Sequence, residues 1–571
     1  MRITKETLFP VVIGIAGHRD LRDQDRPLLA MRVKEALAEV KRRCPSSPLI
    51  VLSSLAEGAD CLAAGAALDC GAELVAPLPF PEREYLRDFK SAKARAEYKS
   101  LLAKSRHSFP VDQRRGNTER KRAVSYARCG AYTAGHCHLL LALWDGVHKD
   151  TVGGTSQVVG YKLRGIQAEL LGRDGPAVRN DIGPVWQIAT PRAGSGPAGV
   201  RAGELIRHRP QAAHGHGGKQ ADPLASLDRI EAFNREALAG SQALSARVGK
   251  ETLRSARPWG ELEASLSRIL GRHALAGEIA TSYQRKRHRV LLATFLLGLA
   301  AFGCLEFYEY FSHSLFHFSP ESVLLLAGYI LILLLAYGVF ALAAWKKYQN
   351  KHLDCRALAE GLRVQFAWAY AGMPDDASDH YLTKHCGELG WIRQAIRMGN
   401  IANPGVTGKS SLSDPARAKK LLELWVRDQR DYYQRAWRRN ESKVRRQEIM
   451  TNGFFGMAVL IALGMIFAHR ALAELAVAHS SLAYAISMSF ALAAAASGYA
   501  EKMVFGEQAK QYHRMARQFE EAAADLEEAL GREDLAGAEA LLREVGKEAL
   551  AENADWLLLH RARPLEGPRG G

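Results

Sequence analysis

Two pairs of long apolar stretches in the second half of the chain constrain its fold most strongly. They cover residues 290–311, 323–345, 454–468 and 482–500. The longer ones reach the roughly 20 residues that a helix needs to cross a bilayer. We therefore predict an all-α membrane domain with two transmembrane hairpins, four transmembrane helices in all, and long cytoplasmic helices. The first half contains no such stretch and has the pattern of a separate α/β domain.

The basic residues are concentrated beside the apolar stretches. The net charge is +16, and a mean hydropathy of −0.16 is too polar for a transporter made wholly of membrane spans. The connection 312–322 has no Lys or Arg, and the second connection has only Arg470. By the positive-inside bias we expect a multi-pass protein of the inner membrane with both termini cytoplasmic. The basic flanks are Arg285, Lys286, Arg287, Arg289, Lys346, Lys347, Lys351, Arg438, Arg439, Lys443, Arg445 and Arg446.

This arrangement of basic residues favours membrane orientation and attraction to the lipid bilayer over binding of nucleic acid.

Eight cysteines without a CxxC pair indicate reduced, structural thiols. His208, His214 and His216 lack Cys or acidic partners at ligand spacing, so we expect no metal site. The charged N-terminus lacks an apolar segment of its own, and we expect no cleaved signal.

The first half alternates continuous apolar runs with helical stretches. We predict strands at 11–16, 49–52, 74–78, 138–144 and 185–189, with helices beginning near Pro27, Glu57, Pro81, Thr118 and Thr155. Such runs indicate a Rossmann-like parallel sheet that is covered on both faces. In these sheets a ligand binds beyond the carboxyl ends of the strands, where the crossover direction switches.

The residues that follow the predicted strands form the candidate ligand-binding set. Glycines allow a ligand to approach the backbone, and helix N-termini present free N–H groups to a phosphate. Arg19 is a candidate partner for a phosphate, and Glu57, Asp60 or Asp145 for ribose hydroxyls. The set comprises Gly17, His18, Arg19, Ser53, Ser54, Glu57, Gly58, Asp60, Asp145, Gly153, Gly154 and Thr155.

Three other interpretations stay open from the residues alone. The glycines and Thr155 are also typical of a turn and helix cap, Asp60 of a cap, and His18 of a loop histidine with its hydrogen bonds satisfied. An enzyme would use the same pocket to hydrolyse a nucleotide N-glycosidic bond, with Glu57 or Asp60 as the acid–base group. A membrane scaffold without a ligand or a pore is the third interpretation.

The motifs GHRDL, SSLAEGADCLA and LLLALWDG…GGT resemble the SLOG superfamily over residues 8–192. Those Rossmann-like domains are related to DprA, the LOG enzymes and the sensor domain of TRPM channels, and they bind nucleotides or nucleotide derivatives. Hydrolytic members carry PGGxGTxxE. The corresponding stretch here, 152–159, keeps the glycines and the threonine but lacks the glutamate. The resemblance therefore implies a binding domain with no catalytic residues rather than a phosphoribohydrolase.

The apolar stretches contain few ionisable residues, which argues against a proton-coupled carrier. Small residues such as Gly298, Gly303 and Ser487 allow close helix packing. Glu306 and Glu309 lie near the outer end of the first stretch and either favour cations in a pore or sit among outer headgroups. Because four short spans enclose a water-filled path poorly, we expect a homo-oligomer.

Residues 270–565 resemble the SLATT family of two-span membrane effectors that accompany SLOG sensors in bacterial conflict systems. The similar segments are ALAGEIATSYQRKRHR, RALAEGLRVQFAW, EQAKQYHRMARQFEEA and ENADWLLLHR. The likeness between the two segments that follow the hairpins suggests an internal duplication. The resemblance implies a ligand-gated pore or membrane-disrupting effector of a bacterial anti-phage defence system, switched by a nucleotide-derived second messenger.

These expectations divide the chain into seven segments. The stretch 403–410 ends like a phosphate-binding loop, but Asn403 replaces the first glycine, and we interpret it as an interhelical loop. The segments are a SLOG-like ligand-binding domain (1–192), a flexible linker (193–226), cytoplasmic amphipathic helices (227–288), the first transmembrane hairpin (289–345), a cytoplasmic helical region (346–452), the second hairpin (453–500) and C-terminal cytoplasmic helices (501–571).

Overall fold

The computed structural model describes most of the chain, and the following account concerns those residues. They are 3–112, 118–149, 151–167, 170, 182–193, 201–210, 222–240, 242–311, 320–382, 389–401, 412–468 and 476–561. The interhelical loop predicted at 403–410, the tips of both hairpins, His214 and His216 lie outside them. The chain divides into two compact units. The first comprises Met1–Glu278, Ala357–Arg417 and Leu535–Ala554, and the second comprises Ile279–Arg356, Ala418–Asp534 and Asp555–Gly571.

A seven-stranded sheet with the order β4-β3-β2-β1-β5-β6-β7 organises the first unit. All neighbouring strands are parallel except β6 and β7, which pair antiparallel. This confirms the predicted Rossmann-like sheet. The strands are β1 (Val11–Gly17), β2 (Leu49–Leu52), β3 (Glu73–Leu78), β4 (His107–Pro110), β5 (Leu139–Trp144), β6 (Val185–Ala189) and β7 (Leu205–His208).

Helices cover both faces of this sheet. A hydrophobic core lies on each face, and alternate residues of β1 contribute to the two cores. Ile13 packs in one core with Val33 of α1, whereas Val12 packs in the other with Ala131 of α5 and Val159 of α6. Because both faces are buried, the central strands are apolar at every position. The helices of this region are α1 (Arg26–Arg43), α2 (Ala59–Asp69), α3 (Glu82–Tyr85), α4 (Ala92–Lys104), α5 (Glu119–Gly135), α6 (Thr155–Arg164), α7 (Ala225–Ala239) and α8 (Gln242–Ala256).

The five predicted strands are present, and two further strands border the sheet. Strand β7 lies inside the stretch 193–226, where the sequence predicts a linker, so that part of the prediction is wrong. Its residues Leu205 and Ile206 are exposed, as is typical of an edge strand, and its register is fixed by pairing with β6. Strand β4 at the other edge is also partly exposed. Neither short strand has the continuous apolar pattern of a central one.

Helix α7 fixes the amino-terminal edge of the sheet. The side chain of Asn234 is fully buried, and its amide accepts the N–H of Phe9 at 3.0 Å. The same amide donates to the Phe9 carbonyl at 2.7 Å and to Ser47 Oγ at 2.9 Å. Because every one of these contacts satisfies a buried polar group, α7 belongs to the first unit as a structural element.

The rest of the chain is helical, as predicted. Helices α9, α11 and α18 each contain residues of both units. A π-helical turn, Leu422–Arg427, precedes α15. The helices are α9 (Ala264–Phe311), α10 (Pro320–Trp345), α11 (Tyr348–Ala371), α12 (Ala377–His380), α13 (Gly390–Gly399), α14 (Pro415–Leu421), α15 (Asp428–Phe467), α16 (Ala476–Met503), α17 (Phe505–Gly531) and α18 (Leu535–Arg561).

Four of these helices are long and apolar enough to cross a membrane, which indicates a membrane protein. The four apolar stretches identified in the sequence lie in α9, α10, α15 and α16. Within the second unit, α15 packs along α16 and α17. Large apolar side chains such as Leu331, Leu460 and Phe467 remain exposed on these helices, as expected for surfaces that face lipid.

A single residue with positive φ follows the second apolar helix of each pair. Lys347, at φ 52°, lies between α10 and α11, and Val504, at φ 59°, lies between α16 and α17. Neither is a glycine, so each adopts a conformation that is unfavourable for an L-residue. By contrast, α9 and α15 continue from their polar part into their apolar part without interruption.

Candidate functional site

The strand order places the switch point of the sheet between β1 and β5. From β1 the order runs through β2 and β3 to β4 on one side, and through β5 and β6 on the other. Gly17 at the end of β1 pairs with Leu143 of β5. His18 and Asp145 therefore follow the two strands whose crossovers diverge, which is where ligands bind in open α/β sheets.

His18 and Asp145 contact each other at this point. His18 Nε2 lies 3.2 Å from Asp145 Oδ1 and accepts the backbone N–H of Asp145 at 3.0 Å. Both residues are buried. Burial, followed by the nearby charge of Arg192, lowers the pKa of His18 despite the carboxylate beside it. An imidazole nitrogen that accepts a hydrogen bond carries no proton, so His18 is neutral and ties the two loops together.

Arg192 compensates the buried carboxylate. Its Nε donates to Asp145 Oδ2 at 2.9 Å, and its backbone carbonyl accepts a hydrogen bond from Arg22 at 3.0 Å. Burial alone would raise the pKa of Asp145, but the Val147 N–H and Arg192 together hold this pKa below its ordinary value. Arg192 is not among the sequence-predicted site residues, because it follows β6 in a stretch without a motif.

Two predicted glycines pack closely against other segments of the chain. A Cβ on Gly17 would lie 2.4 Å from the Cβ of Ala59, and one on Gly58 would lie 2.3 Å from the carbonyl oxygen of Arg19. Gly58 also has a φ of 94°. The N–H of Ala59 donates to the His18 carbonyl at 2.9 Å. These contacts seat the start of α2 directly against the end of β1.

The residues after β2 form a buried polar cluster beside this contact. Ser54 Oγ donates to Asp60 Oδ2 at 2.6 Å, and Ser53 Oγ donates to the Asp60 carbonyl at 3.2 Å. Burial raises the pKa of Asp60 to about 6, even though Ser54 and Arg19 favour its ionised form. Its Oδ1 atom has no hydrogen-bond partner. In this arrangement Asp60 orders the loop before α2.

Arg19 and Gly153 meet at the ring of Tyr126. The Arg19 guanidinium lies 4.9 Å from the ring centroid, and a Cβ on Gly153 would lie 2.6 Å from the Tyr126 Cβ. The Tyr126 hydroxyl donates to Asp88. Arg122 also donates to Asp88 at 2.6 Å. Tyr126 on α5 thus links the loops after β1 and β5. No motif points to this residue, because it lies inside a helix.

The N-terminus of α6 completes the edge. Gly154 precedes this helix and supplies no capping side chain. The N–H groups of Gln157 and Val158 donate to the Gly154 carbonyl, so those of Thr155 and Ser156 are the ones that can meet water or an anion. The side chain of Gln157 accepts the N–H of Gly153 at 2.6 Å, which occupies it in the loop. Glu57 accepts the N–H of Lys90 at 3.2 Å and is only partly buried.

The predicted set therefore divides by accessibility. Arg19 is exposed, and Ser54, Glu57, Gly154 and Thr155 are partly exposed. These groups offer a cation, hydroxyls, a carboxylate and helix N–H groups, which suit a phosphate and a sugar. The remaining side chains hold the loops in place: His18, Ser53, Asp60 and Asp145 are buried. Arg19 is thus the exposed side chain of the GHR turn, and the glycines and Thr155 of the GGT turn are partly exposed.

One surface cleft of this unit lies away from the predicted set. Within the described ranges no group of three or more His, Cys, Asp or Glu residues could hold a metal ion. A surface cleft in this unit is lined by Arg26, Lys34, Cys61 and Leu101 on the outer side of α1, α2 and α4, and it does not include the predicted set.

No protein-family model matches the chain. No curated protein shows significant sequence similarity to it.

Proposed function

We propose that the first unit binds a nucleotide-derived ligand at the carboxyl edge of its sheet. The observation that carries this proposal is the position of Arg19, exposed beside the Tyr126 ring and next to the switch point. A guanidinium forms charge-assisted hydrogen bonds with phosphate oxygens. The uncapped start of α6 supplies a second anion-binding element on the same edge.

We further propose that ligand binding switches the apolar helices, as expected for a SLOG-like sensor joined to a SLATT-like effector. The function is then that of a ligand-gated pore or membrane-disrupting protein of a bacterial anti-phage defence system. Helices α9, α11 and α18 contain residues of both units and provide a covalent route for coupling. A ligand can shift the spans only as far as its affinity differs between two arrangements.

The proposal includes a location and an assembly. Basic flanks at 285–289, 346–351 and 438–446 support an inner-membrane protein with both termini in the cytoplasm. Four apolar helices of one chain enclose a water-filled path poorly, so the pore is a homo-oligomer. The partners are the nucleotide-derived messenger, the bilayer and further copies of the chain, without nucleic acid.

Calorimetry of the purified full chain against linear, cyclic and ADP-ribose-type nucleotides tests the sensor. We expect one class to bind and Arg19→Ala to weaken that binding at least tenfold, because a charged hydrogen bond contributes about 1.5–3 kcal/mol. Arg42→Ala is the matched control, since Arg42 is exposed at the end of α1, next to the amino-terminal edge of the sheet. Equal loss in both variants, or no binding by folded protein, would contradict the proposal.

Dye release from liposomes tests the effector separately. We expect the bound nucleotide class to increase release from vesicles that contain the full chain, and Arg19→Ala to require a higher nucleotide concentration. Binding without any change in release would retain the sensor and reject the pore. Neither binding nor release would favour a membrane scaffold instead.

A hydrolase is a second candidate, supported by the raised pKa of Asp60. A carboxyl with a pKa of about 6 is suited to acid–base chemistry, and Glu57 lies at the same turn with its side chain partly exposed. Release of free base from nucleoside monophosphates, lost in Glu57→Gln, would establish this activity. Its absence from protein that binds the nucleotide would reject it.

A further inference from the structure

A buried arginine lies just before the apolar part of α9. The side chain of Arg287 is 6% exposed, and in the described part of the chain its Nε atom has no hydrogen-bond partner. No carboxylate among the described residues pairs with it. The charge of a guanidinium is costly to bury alone, so arginines in protein interiors normally contact an anion. The guanidinium of Arg287 is therefore a buried cation whose anion is not among the described residues.

Further basic residues of the second unit surround Arg287. Burial first, and then the charges of Arg287 and Lys443, lower the pKa of His288. Burial likewise lowers the pKa of His352 to about 3, with Arg287 contributing. His352 is held in place by the Ala280 carbonyl, 3.0 Å from its Nδ1. Helices α9 and α15 thus bring Arg287, His288 and Lys443 near one another, beside the neutral imidazole of His352.

Aromatic rings fix the position of this cluster among the helices. Tyr499 of α16 packs edge-on against Phe295 of α9, with ring centroids 5.7 Å apart. Phe505 of α17 lies 6.5 Å from Tyr499, and the Lys443 ammonium lies 4.9 Å from the Phe505 ring. Lys443 is exposed, so the cluster has a buried base and an accessible rim.

We infer that Arg287, His288 and Lys443 form a binding site for a phosphate group, in the first place that of an anionic phospholipid. Three features argue for this ligand. Arg287 lies at the base of the site and Lys443 at its rim. A guanidinium can form two parallel hydrogen bonds with a phosphate, and an ammonium attracts a phosphate as a point charge. No carboxylate of the described residues occupies it. Arg287 and His288 also lie directly before the apolar stretch 290–311, at the depth of the headgroups in a membrane. The inference depends on the apolar helices and not on the nucleotide site.

Detergent-purified full chain, washed free of bound lipid, provides the test. Thermal unfolding is measured with mixed micelles of phosphatidylglycerol, with micelles of phosphatidylcholine, and with inorganic phosphate alone. We expect stabilisation by phosphatidylglycerol at the lowest concentration, and an affinity about tenfold weaker in Arg287→Gln. Equal stabilisation by inorganic phosphate, also lost in Arg287→Gln, would support the site and identify a free phosphate as its ligand.

The neighbouring exposed residue Arg285 is the matched control, because Arg285→Gln removes the same charge from the same turn of α9. We expect this variant to keep the affinity of the parent. If Arg287→Gln fails to fold, Lys443→Gln at the exposed rim replaces it, with an expected loss of several-fold. Unchanged affinity in the Arg287 variant, or in Lys443→Gln where the first is unfolded, overturns the inference. An equal loss in Arg285→Gln also overturns it, because the attraction is then a general surface charge.

Discussion

His18 Nε2 accepts the backbone N–H of Asp145 at 3.0 Å, and this bond closes the switch point of the sheet. The Asp145 carboxylate beside it pairs with Arg192 instead. The contact is therefore a neutral imidazole next to a compensated carboxylate, and not a His–Asp ion pair. Both side chains are committed to joining loops, which leaves the exposed groups around them to meet a ligand.

Asp145→Asn is expected to lower the free energy of unfolding of the sheet by about 1–3 kcal/mol, because it removes the buried partner of Arg192. Asp20→Asn is the matched control. Asp20 lies 3.6 Å from the same arginine, but its side chain is 43% exposed, and its loss should cost no more than about 0.5 kcal/mol. Urea unfolding of both variants measures the difference. Equal effects would show that the buried pair has no special role.

The stability of the sheet should fall as the pH drops below about 6.5. Burial lowers the pKa of His138 to about 3, and the Val12 N–H donates to its Nδ1 at 3.0 Å. Since the folded-state pKa of His138 lies below the ordinary value, the neutral imidazole makes its full contribution to stability above pH 6.5. It is lost by about 1.4 kcal/mol per pH unit as the pH falls towards 3.

Thermal unfolding at pH 7.5 and 5.5 measures this dependence. His138→Gln should reduce the slope, whatever its own effect on stability at neutral pH. His148→Gln, at an exposed position, should leave the slope unchanged. A wild-type slope equal to that of the His138 variant would refute the explanation.

Gly58→Ala should destabilise the sheet much more than Gly71→Ala. Both glycines have positive φ, 94° and 74°, so each alanine costs about 1 kcal/mol in backbone conformation. Nothing lies within 4 Å of a Cβ at Gly71, whereas one at Gly58 would strike the Arg19 carbonyl. Displacing that turn adds about 1–3 kcal/mol. Denaturant titration compares the free energies of unfolding of the two variants. Similar midpoints would mean that the contact between β1 and α2 shifts at little cost.

Membrane-impermeant thiol labelling in intact cells tests the proposed topology. A cysteine at Ser481, near the start of α16, should label from outside, and one at Ser442 of α15 should label only after lysis. Both positions are exposed. The parent chain controls for native thiols such as Cys70. External labelling at Ser442 would contradict a cytoplasmic location for the basic flanks.

The apolar patterns were sufficient to predict the central strands and the four long helices. The strand pattern succeeds for β1, β2, β3, β5 and β6 because buried parallel strands consist almost entirely of apolar residues, Glu73 and Gln187 being the exceptions. It fails for β4 and β7, whose exposed positions resemble those of loops. Helix α4 was missed for a similar reason, since only Ala94, Tyr98 and Leu101 of this mostly polar helix are buried.

The candidate site was predictable only in its position. Residues after successive strands meet at one edge by topology, and this places His18 beside Asp145. The roles of Tyr126 and Arg192 depend on side-chain contacts between distant segments, which no local pattern contains. Gly17, Gly58 and Gly153 had been assigned to ligand approach, and the structure shows each of them against another part of the chain.

The left-handed residues Lys347 and Val504 have a consequence for how the protein fits its bilayer. An uninterrupted helix carries any tilt of its apolar part directly into its polar part. The second helix of each pair instead ends where its apolar part ends, and one left-handed residue lies before the next helix. Each can therefore adjust its tilt to the local thickness of the hydrocarbon layer without turning the helix that follows. Hydrophobic mismatch is thus absorbed at these two short joints, while α9 and α15, which lack such joints, transmit it.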